Sequence, residues 1–155
     1  MAQVFRAEDR ALHRDVAIKR LLALQGLQPC KGEIRLRRFL REAQVTAQLA
    51  HPNVVPIYAI EKDGDGTPAL VMKCIEGLTL KEFLDECHGA WGKDGWSHER
   101  HGLPARLEIL LKICDAVAFA HSRGVLHLDL KPANVMLGAF GEGYVMEWGS
   151  ARVLA

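Results

Sequence analysis

The longest regular pattern of apolar positions lies between residues 103 and 121. Apolar side chains recur there every three or four residues, a spacing that places them on one face of an α-helix. Gly124 follows closely and is a suitable C-terminal cap, because glycine adopts left-handed backbone angles without strain. The pattern predicts a core helix whose buried face carries Leu103, Leu107, Leu110, Leu111, Cys114, Val117 and Ala118.

A second helical pattern runs from residue 32 to residue 50. It ends before Pro52, because proline disfavours helical geometry in the residue that precedes it. Taken alone, Glu42 in this helix is interpreted as a surface charge paired with Arg38, four residues earlier. The apolar face is expected to carry Leu36, Phe39, Leu40, Ala43, Ala47 and Ala50.

Shorter runs of apolar residues predict strands around these two helices. Residues 2–7 and 15–22 form one expected hairpin, and residues 54–60 and 69–75 form another, joined by a turn rich in Asp-Gly. Asp63, Asp65 and Gly66 in that turn have a calcium-loop spacing but lack the required glutamate, which favours a simple turn. A short helix is predicted over residues 77–87, and strands over 134–137 and 143–146.

Residues 88–102 form a polar segment rich in glycine, tryptophan and charge. The irregular spacing of His88, His98 and His101 matches no particular metal geometry. We therefore interpret this segment, which also contains Trp91 and Trp96, as a surface loop, with metal binding as the less favoured alternative.

Composition places the chain among ordinary globular proteins and narrows its partners. Of 155 residues, 49% are hydrophobic and 25% charged, and the net charge is +1. Neither nucleic acid nor an anionic membrane is expected as a partner through long-range electrostatics. No signal peptide or membrane-spanning apolar run occurs in the sequence. The cysteines Cys30, Cys74, Cys87 and Cys114 are scattered, which predicts neither a zinc site nor a disulfide framework and favours the reducing cytoplasm.

Residues 127–134 read His-Leu-Asp-Leu-Lys-Pro-Ala-Asn and concentrate polar chemistry in a short stretch. Asp129, Lys131 and Asn134 supply a carboxylate, an ammonium and an amide, and Pro132 favours a loop rather than a helix interior. Three such groups on one loop indicate phosphate and metal chemistry. The alternative is a cluster of solvated turn residues.

The motifs, taken in order, resemble the protein kinases, most closely the bacterial serine/threonine type. The stretch 16–19, Val-Ala-Ile-Lys, resembles the lysine strand of that family, 41–43 the glutamate turn of the regulatory helix, and 51–53 the break after it. Residues 127–134 resemble the catalytic loop. Glu147, Trp148 and Gly149 stand where the family has Asp-Phe-Gly.

This resemblance implies a catalytic role for four residues and two cofactors, ATP and Mg²⁺. Lys19 would hold nucleotide phosphates and pair with Glu42. Asp129 would accept or orient the proton of the substrate hydroxyl, and Lys131 would neutralise the moving phosphate. Asn134 and Glu147 would be the magnesium ligands. A lysine at position 131 favours protein Ser/Thr substrates.

The same resemblance implies an apolar adenine site. Val4, Ala17 and Met136 would sandwich the base, and Met72 would stand before the hinge. Backbone groups of residues 74–76, with Cys74 and Ile75 foremost, would hydrogen-bond the base.

The implied fold is α+β and protein-kinase-like. Residues 1–76 would form a strand-rich N-lobe lacking its first strand and glycine-rich loop, and residues 77–155 the start of a helical C-lobe. Because the activation segment and later helices of the family are absent, the sequence is expected to be a fragment truncated at both ends. The leucine face of the helix over 103–121 would then be left exposed.

Two departures from the family pattern keep alternative functions open. Glu147 carries one more methylene than the aspartate it replaces, and magnesium demands near-ideal geometry. Leu128 replaces the arginine that grips a phosphorylated activation loop in many kinases. The first hypothesis is a protein Ser/Thr kinase, the second a pseudokinase that binds nucleotide or a partner without phosphoryl transfer, and the third a purely structural domain.

Overall fold

The computed structural model describes residues 2–22, 29–62, 64, 66–92 and 96–154. In the first part of the chain are strands β1 (Ala2–Asp9), β2 (Arg14–Leu21), β3 (Ile57–Lys62) and β4 (Pro68–Lys73), and helix α1 (Pro29–Gln48). The strands form one antiparallel sheet in the order β1-β2-β4-β3. The predicted hairpins and the first helix are therefore confirmed.

Helix α1 packs on this sheet through a small apolar core. Phe39 and Ala43 of the helix are buried together with Leu21 of β2 and Leu70 of β4. The helix ends two residues before the predicted position, and Ala47 and Ala50 are exposed rather than part of its apolar face.

The second part of the chain is mainly helical, with short strands. Its helices are α2 (Leu80–Ala90), α3 (His98–His101) and α4 (Leu103–Ser122), and its strands are β5 (Gly77–Thr79), β6 (Val125–Leu126), β7 (Val135–Gly138), β8 (Gly143–Val145) and β9 (Arg152–Val153). They pair in the orders β5-β7-β8 and β6-β9. The fold is mixed α+β, as predicted. Of the described helices, none is long and apolar enough to cross a membrane.

The start of the helix predicted over residues 77–87 is wrong. Gly77 lies against β7, and a Cβ there would come 1.8 Å from the carbonyl oxygen of Leu137, so glycine is what permits this strand pairing. Helix α2 then begins at Leu80. Thr79 and Glu82 form a capping box that satisfies the first backbone N–H groups.

Three predicted strands have different bounds in the structure: two are one residue shorter, and the third is shifted by one residue. Val54 forms only an isolated bridge with Val145, so β3 begins at Ile57. Strand β4 ends at Lys73. Asn134 belongs to a 3₁₀ turn, Pro132–Asn134, rather than to β7, because proline initiates the turn with its fixed φ.

Helix α4 is confirmed over its full predicted range, but most of its predicted buried face is exposed, and of that face Val117 is half-buried and packs on the main core. Buried positions include Ile113, Ala116 and Ala120, whose side chains belong to the main core. Gly124, with φ of 69°, closes the helix as predicted, and its N–H donates to His121 O at 2.9 Å. The exposed positions are Leu103, Leu107, Leu110, Leu111 and Cys114, in agreement with the expected uncovered leucine face.

The interpretation of residues 88–102 as a surface loop is wrong at its end. Ser97 caps α3, and His101 is buried against Trp96 and Phe83. Within the described part of the chain, no group of histidine, cysteine and acidic side chains is arranged to hold a metal ion. Cys74, Cys87 and Cys114 are free thiols. Asp63, Asp65 and the Cys30 side chain lie outside the described residues.

Candidate active site

The polar side chains of the loop over residues 127–134 converge on Asp129. Lys131 Nζ donates to both carboxylate oxygens of Asp129, at 2.8 and 3.1 Å. Asn134 Nδ2 donates to the carbonyl oxygen of Asp129 at 2.8 Å and to its Oδ2 at 3.1 Å. The 3₁₀ turn positions Asn134, whose N–H donates to Lys131 O. The cluster is therefore a hydrogen-bonded unit rather than a set of independent turn residues.

The Asp129 carboxyl is held in its ionised form by these contacts. The hydrogen bond from Lys131 lowers the pKa of Asp129 below its ordinary value, more than partial desolvation raises it, and the Asn134 amide adds to the effect. A carboxylate that is ionised at neutral pH can accept a hydrogen bond from a neighbouring hydroxyl group.

The buried His127 side chain positions this loop through hydrogen bonds to the backbone, a role that the sequence did not suggest. Its ring is buried, and Nδ1 accepts the Asp129 N–H at 3.3 Å. The other nitrogen, Nε2, therefore carries the ring proton and donates to Met146 O at 2.8 Å. The ring also meets Trp148 edge-on, with centroids 4.6 Å apart. Its place two residues before Asp129 was the available signal.

Lys19 lies between two carboxylates from distant parts of the chain. Its Nζ is 2.6 Å from Glu42 Oε1 and 2.7 Å from Glu147 Oε1. The Lys19 side chain is 7% exposed, that of Glu42 13% and that of Glu147 46%. The interpretation of Glu42 as a surface charge paired with Arg38 is therefore wrong.

Burial and the imbalance of one ammonium against two carboxylates shift the pKa values of Lys19 and Glu42. Burial disfavours the charged form of Lys19, but the Glu42 and Glu147 carboxylates more than offset it and raise the pKa of the ammonium. Burial raises the pKa of Glu42, and the negative charge of Glu147 raises it further. The Lys19 ammonium lowers this pKa but does not offset the two effects, because Lys19 is shared with Glu147. One cation serving two anions leaves this region with an excess of negative charge.

The segment after β8 brings Glu147 beside the catalytic-loop candidates. Met146 N–H donates to Asn134 O at 2.9 Å, and Trp148 is buried with its Nε1–H directed at Val145 O. Gly149 lies under Glu42, where a Cβ would be only 3.2 Å from Glu42 Oε2. Glycine at this position thus allows the helix α1 carboxylate to reach Lys19.

Asn134 and Glu147 fit a hard oxygen-binding cation. With Asn134 Nδ2 directed at Asp129, the other end of the amide is its carbonyl oxygen. Glu147 uses Oε1 for Lys19, which leaves Oε2 as a donor oxygen on a half-exposed side chain. Magnesium is commonly held by one or two such protein oxygens together with water and phosphate oxygens. These two residues, rather than a closed protein cage, could hold it.

A comparison with protein families places this geometry in context. A family model described as the protein kinase domain matches residues 1–155. The chain belongs to the protein kinase family. It is 42% identical to the serine/threonine-protein kinase PknD of Chlamydia trachomatis over 97% of its own length, and 39% identical to PknD of Protochlamydia amoebophila over 99%. The chain spans 16% and 15% of the length of these two relatives.

Three of the residues that the kinase resemblance assigns to the adenine site, Val4, Ala17 and Met72, share one face of the first sheet. Val4 lies opposite Lys19, and Ala17 opposite Met72, and directly opposed residues point to the same side. Met136 lies on β7, in the other sheet, and is half-buried. The structure therefore joins Val4, Ala17, Lys19 and Met72 by register.

The hinge residues after β4 border a groove of about 250 Å³. Cys74 and Ile75 line one side of it, and residues 138–140 of the β7–β8 turn line another. Ala139 N–H donates to Glu76 O at 2.9 Å, which ties the turn to the end of the hinge. A larger groove of about 520 Å³ between α2, α4 and β7 contains none of the kinase site residues.

Both departures from the kinase pattern occupy strained backbone positions. Leu128 has φ of 61° and Glu147 has φ of 59°, in the left-handed region that costs a non-glycine residue about 1 kcal/mol or more. Leu128 is also exposed. Such strain persists where surrounding contacts fix the backbone, here at the two segments that carry the candidate catalytic and metal-binding residues.

Proposed function

We propose that this chain is the nucleotide-binding and catalytic-loop part of a protein kinase that uses ATP and Mg²⁺ to phosphorylate Ser or Thr hydroxyls of proteins. The observation that carries the proposal is the position of Lys19, held at 2.6 Å by Glu42 of α1 and at 2.7 Å by Glu147. In protein kinases the ion pair between strand lysine and helix glutamate must be in place for catalysis.

The proposed roles follow from the chemistry of each side chain. Lys19 binds nucleotide phosphates, and Glu42 keeps its ammonium aimed. Asp129 is ionised and accepts a hydrogen bond from the substrate hydroxyl, which orients its oxygen. Lys131, already bound to Asp129, places positive charge where the phosphoryl group moves.

Asn134 and Glu147 are the proposed magnesium ligands. When bound, Mg²⁺ supplies charge neutralisation for the phosphate oxygens. The longer side chain of Glu147 allows one oxygen to bind Lys19 while the other faces outward, so the extra methylene is compatible with this role. The adenine base is proposed to lie on Val4, Ala17, Met72 and Met136, with hydrogen bonds from the backbone at Cys74 and Ile75.

The proposal also includes a boundary between the two lobes and a cellular location. The boundary between the lobes is placed between Glu76 and Gly77, since the four-stranded sheet and α1 precede it and α2 and α4 follow it. A cytoplasmic location is proposed from the free thiols of Cys74, Cys87 and Cys114.

The test compares three forms of the full-length protein: unmodified, Glu147→Asp and Asp129→Asn. We expect the unmodified protein to phosphorylate a Ser/Thr peptide and Asp129→Asn to lose at least about a hundredfold in kcat, the scale of acid–base contributions. Glu147→Asp should remain active. Nucleotide binding without any phosphoryl transfer in the unmodified and Glu147→Asp forms would instead establish the pseudokinase.

A further inference from the structure

A further pocket lies outside the proposed active site, beside helices α2 and α4. Its volume is about 430 Å³, within the range of about 300–1,000 Å³ that is usual for small-molecule sites. Neither the ATP-binding residues nor the catalytic loop contributes to it. Its walls are formed by Leu84, Cys87, His88, Trp91, Trp96 and Arg106.

Two tryptophans form adjoining walls of this pocket. The rings of Trp91 and Trp96 meet edge-to-face, with centroids 4.8 Å apart and planes at 77°. Trp96 packs on the main core, whereas Trp91 is 68% exposed. An indole left this open at the mouth of a cavity provides flat apolar surface for another aromatic ring.

Arg106 adds a positive charge to the same pocket. The side chain is half-buried, and its Nε–H donates only a long contact, 3.5 Å, to Gly102 O. Among the described residues, no carboxylate lies within salt-bridge distance of Arg106. A guanidinium presents parallel N–H groups that match the two oxygens of a carboxylate.

The neighbouring charges favour an anion over a cation. Two tryptophan faces alone could attract a cation. Arg106 and His88 also line the pocket, however, and the Arg106 guanidinium would repel a cation bound there. The nearby Glu86 is directed elsewhere: Oε2 lies 3.2 Å from Arg100, and Oε1 lies 3.5 Å from His101 Nε2. The lining of the pocket thus combines flat apolar indole rings with a positively charged guanidinium.

We propose that this pocket binds a small planar aromatic carboxylate, with the ring against Trp91 and Trp96 and the carboxylate on Arg106. This site is separate from the proposed kinase activity and does not depend on it. The indole rings provide a surface on which the aromatic ring packs, and the Arg106 guanidinium binds the carboxylate.

The test uses the full chain and three probes that share the indole ring: indole-3-carboxylate, its planar neutral isostere indole-3-carboxamide, and the cation indol-3-ylmethylammonium. Ligand-observed NMR titrations give a Kd for each. We expect the carboxylate to bind at least about tenfold more tightly than the neutral amide, as for a charge-assisted hydrogen bond, and the ammonium to bind most weakly. Equal affinity for acid and amide, a preference for the ammonium, or no binding of the carboxylate would overturn the proposal.

Variants locate the binding. Arg106→Gln should remove the preference for acid over amide, and Trp91→Ala should weaken both by about tenfold. Arg123→Gln is the matched control, because Arg123 also lies over an aromatic ring, Phe119, on α4 but outside this pocket. It should bind like the unmodified chain. Retained acid preference in Arg106→Gln would contradict the assignment. Should that variant not fold, the probe comparison and the exposed Trp91→Ala change still decide.

Discussion

At the scale of single residues, the site is governed by an ammonium shared between two carboxylates. Lys19 gains from both Glu42 and Glu147, which is why its pKa is raised despite burial. Each carboxylate has only a share of one cation. Removing the lysine would leave the buried Glu42 without its partner and close to a second negative charge.

We therefore expect Lys19→Met to lower the free energy of unfolding by about 3 kcal/mol, the usual cost of stranding a buried charge. Urea denaturation followed by circular dichroism measures this. The matched control is Lys81→Met, which breaks an exposed pair with Asp85 on α2 and should cost at most about 0.5 kcal/mol. Equal effects of the two substitutions would show that the Lys19 cluster contributes no more than a surface pair.

The lowered pKa of Asp129 gives a pH prediction at the same scale. A carboxyl whose folded pKa is depressed stabilises the protein above its unfolded pKa, and this contribution is lost as the pH falls through the folded pKa. Lys131→Met removes the largest cause of the depression. We expect the Asp129 titration, followed by carbon-detected NMR, to move to higher pH and the acid-dependent loss of stability to shrink.

Lys112→Met is the control for this titration, because Lys112 contacts Gly141 O in the β7–β8 turn rather than Asp129. It should leave the Asp129 midpoint in place. An unchanged midpoint in Lys131→Met would mean that the hydrogen bond from Lys131 does not hold Asp129 ionised.

At the scale of the elements, helix α4 shows how periodicity can identify a helix and miss its buried face. Large apolar residues occupy one side, yet the buried side contains Ile113, Ala116 and Ala120. A helix that is apolar on both sides gives no local signal of orientation. The two alanines explain which face is buried, because small side chains let β8 and the core approach the helix closely.

This orientation predicts opposite outcomes for two truncations on α4. Ile113 is 8% exposed, so Ile113→Ala should cost about 3 kcal/mol of stability through lost burial and a cavity. Leu111, 62% exposed, should cost no more than about 0.5 kcal/mol when changed to Ala. Chemical denaturation of this chain measures both. A larger loss for Leu111→Ala would mean that the leucine face is the buried one.

At the scale of the whole molecule, a few polar contacts join the first sheet and α1 to the second part of the chain. Asn53, just after α1, donates from Nδ2 to Gly143 O at 2.9 Å, and its own carbonyl accepts the Val145 N–H at 2.7 Å. Lys73 at the end of β4 hydrogen-bonds the buried Tyr144 hydroxyl. Strand β8 is therefore one of the elements through which the two parts are attached to each other.

Asn53→Ala should loosen this attachment. The Gly143 carbonyl would lose its partner at a cost of about 1 kcal/mol, and amide exchange at Val145 and its neighbours should accelerate. Gln48→Ala removes a side-chain amide contact of equal length, 2.9 Å, on the exposed surface of α1 and should leave exchange in β8 unchanged. If β8 protection is the same in both variants, Asn53 does not join the two parts.

Local patterns in the sequence were sufficient for most of the fold and for the family, and they indicated the candidate site residues. The periodic stretches predicted α1 and α4, and the motifs around Lys19 and Asp129 indicated the kinase family and its chemistry. Errors arose where a neighbouring element decided the outcome. Gly77 lies in a strand rather than in the predicted helix because it pairs with β7. His101 is buried rather than part of a surface loop because Phe83 of α2 and Trp96 pack against it.

Residue order specifies which chemical groups are present and which helices, strands and loops carry them, since periodicity and loop motifs depend on residues close in the chain. Which of these groups come into contact depends on how the elements pack. Lys19 and Glu147 are 128 positions apart, and no local pattern specifies that they share a hydrogen bond. The same holds for the pocket that joins Trp91 to Arg106. Such contacts arise from the packing of whole elements, which fixes distances that separation along the chain does not.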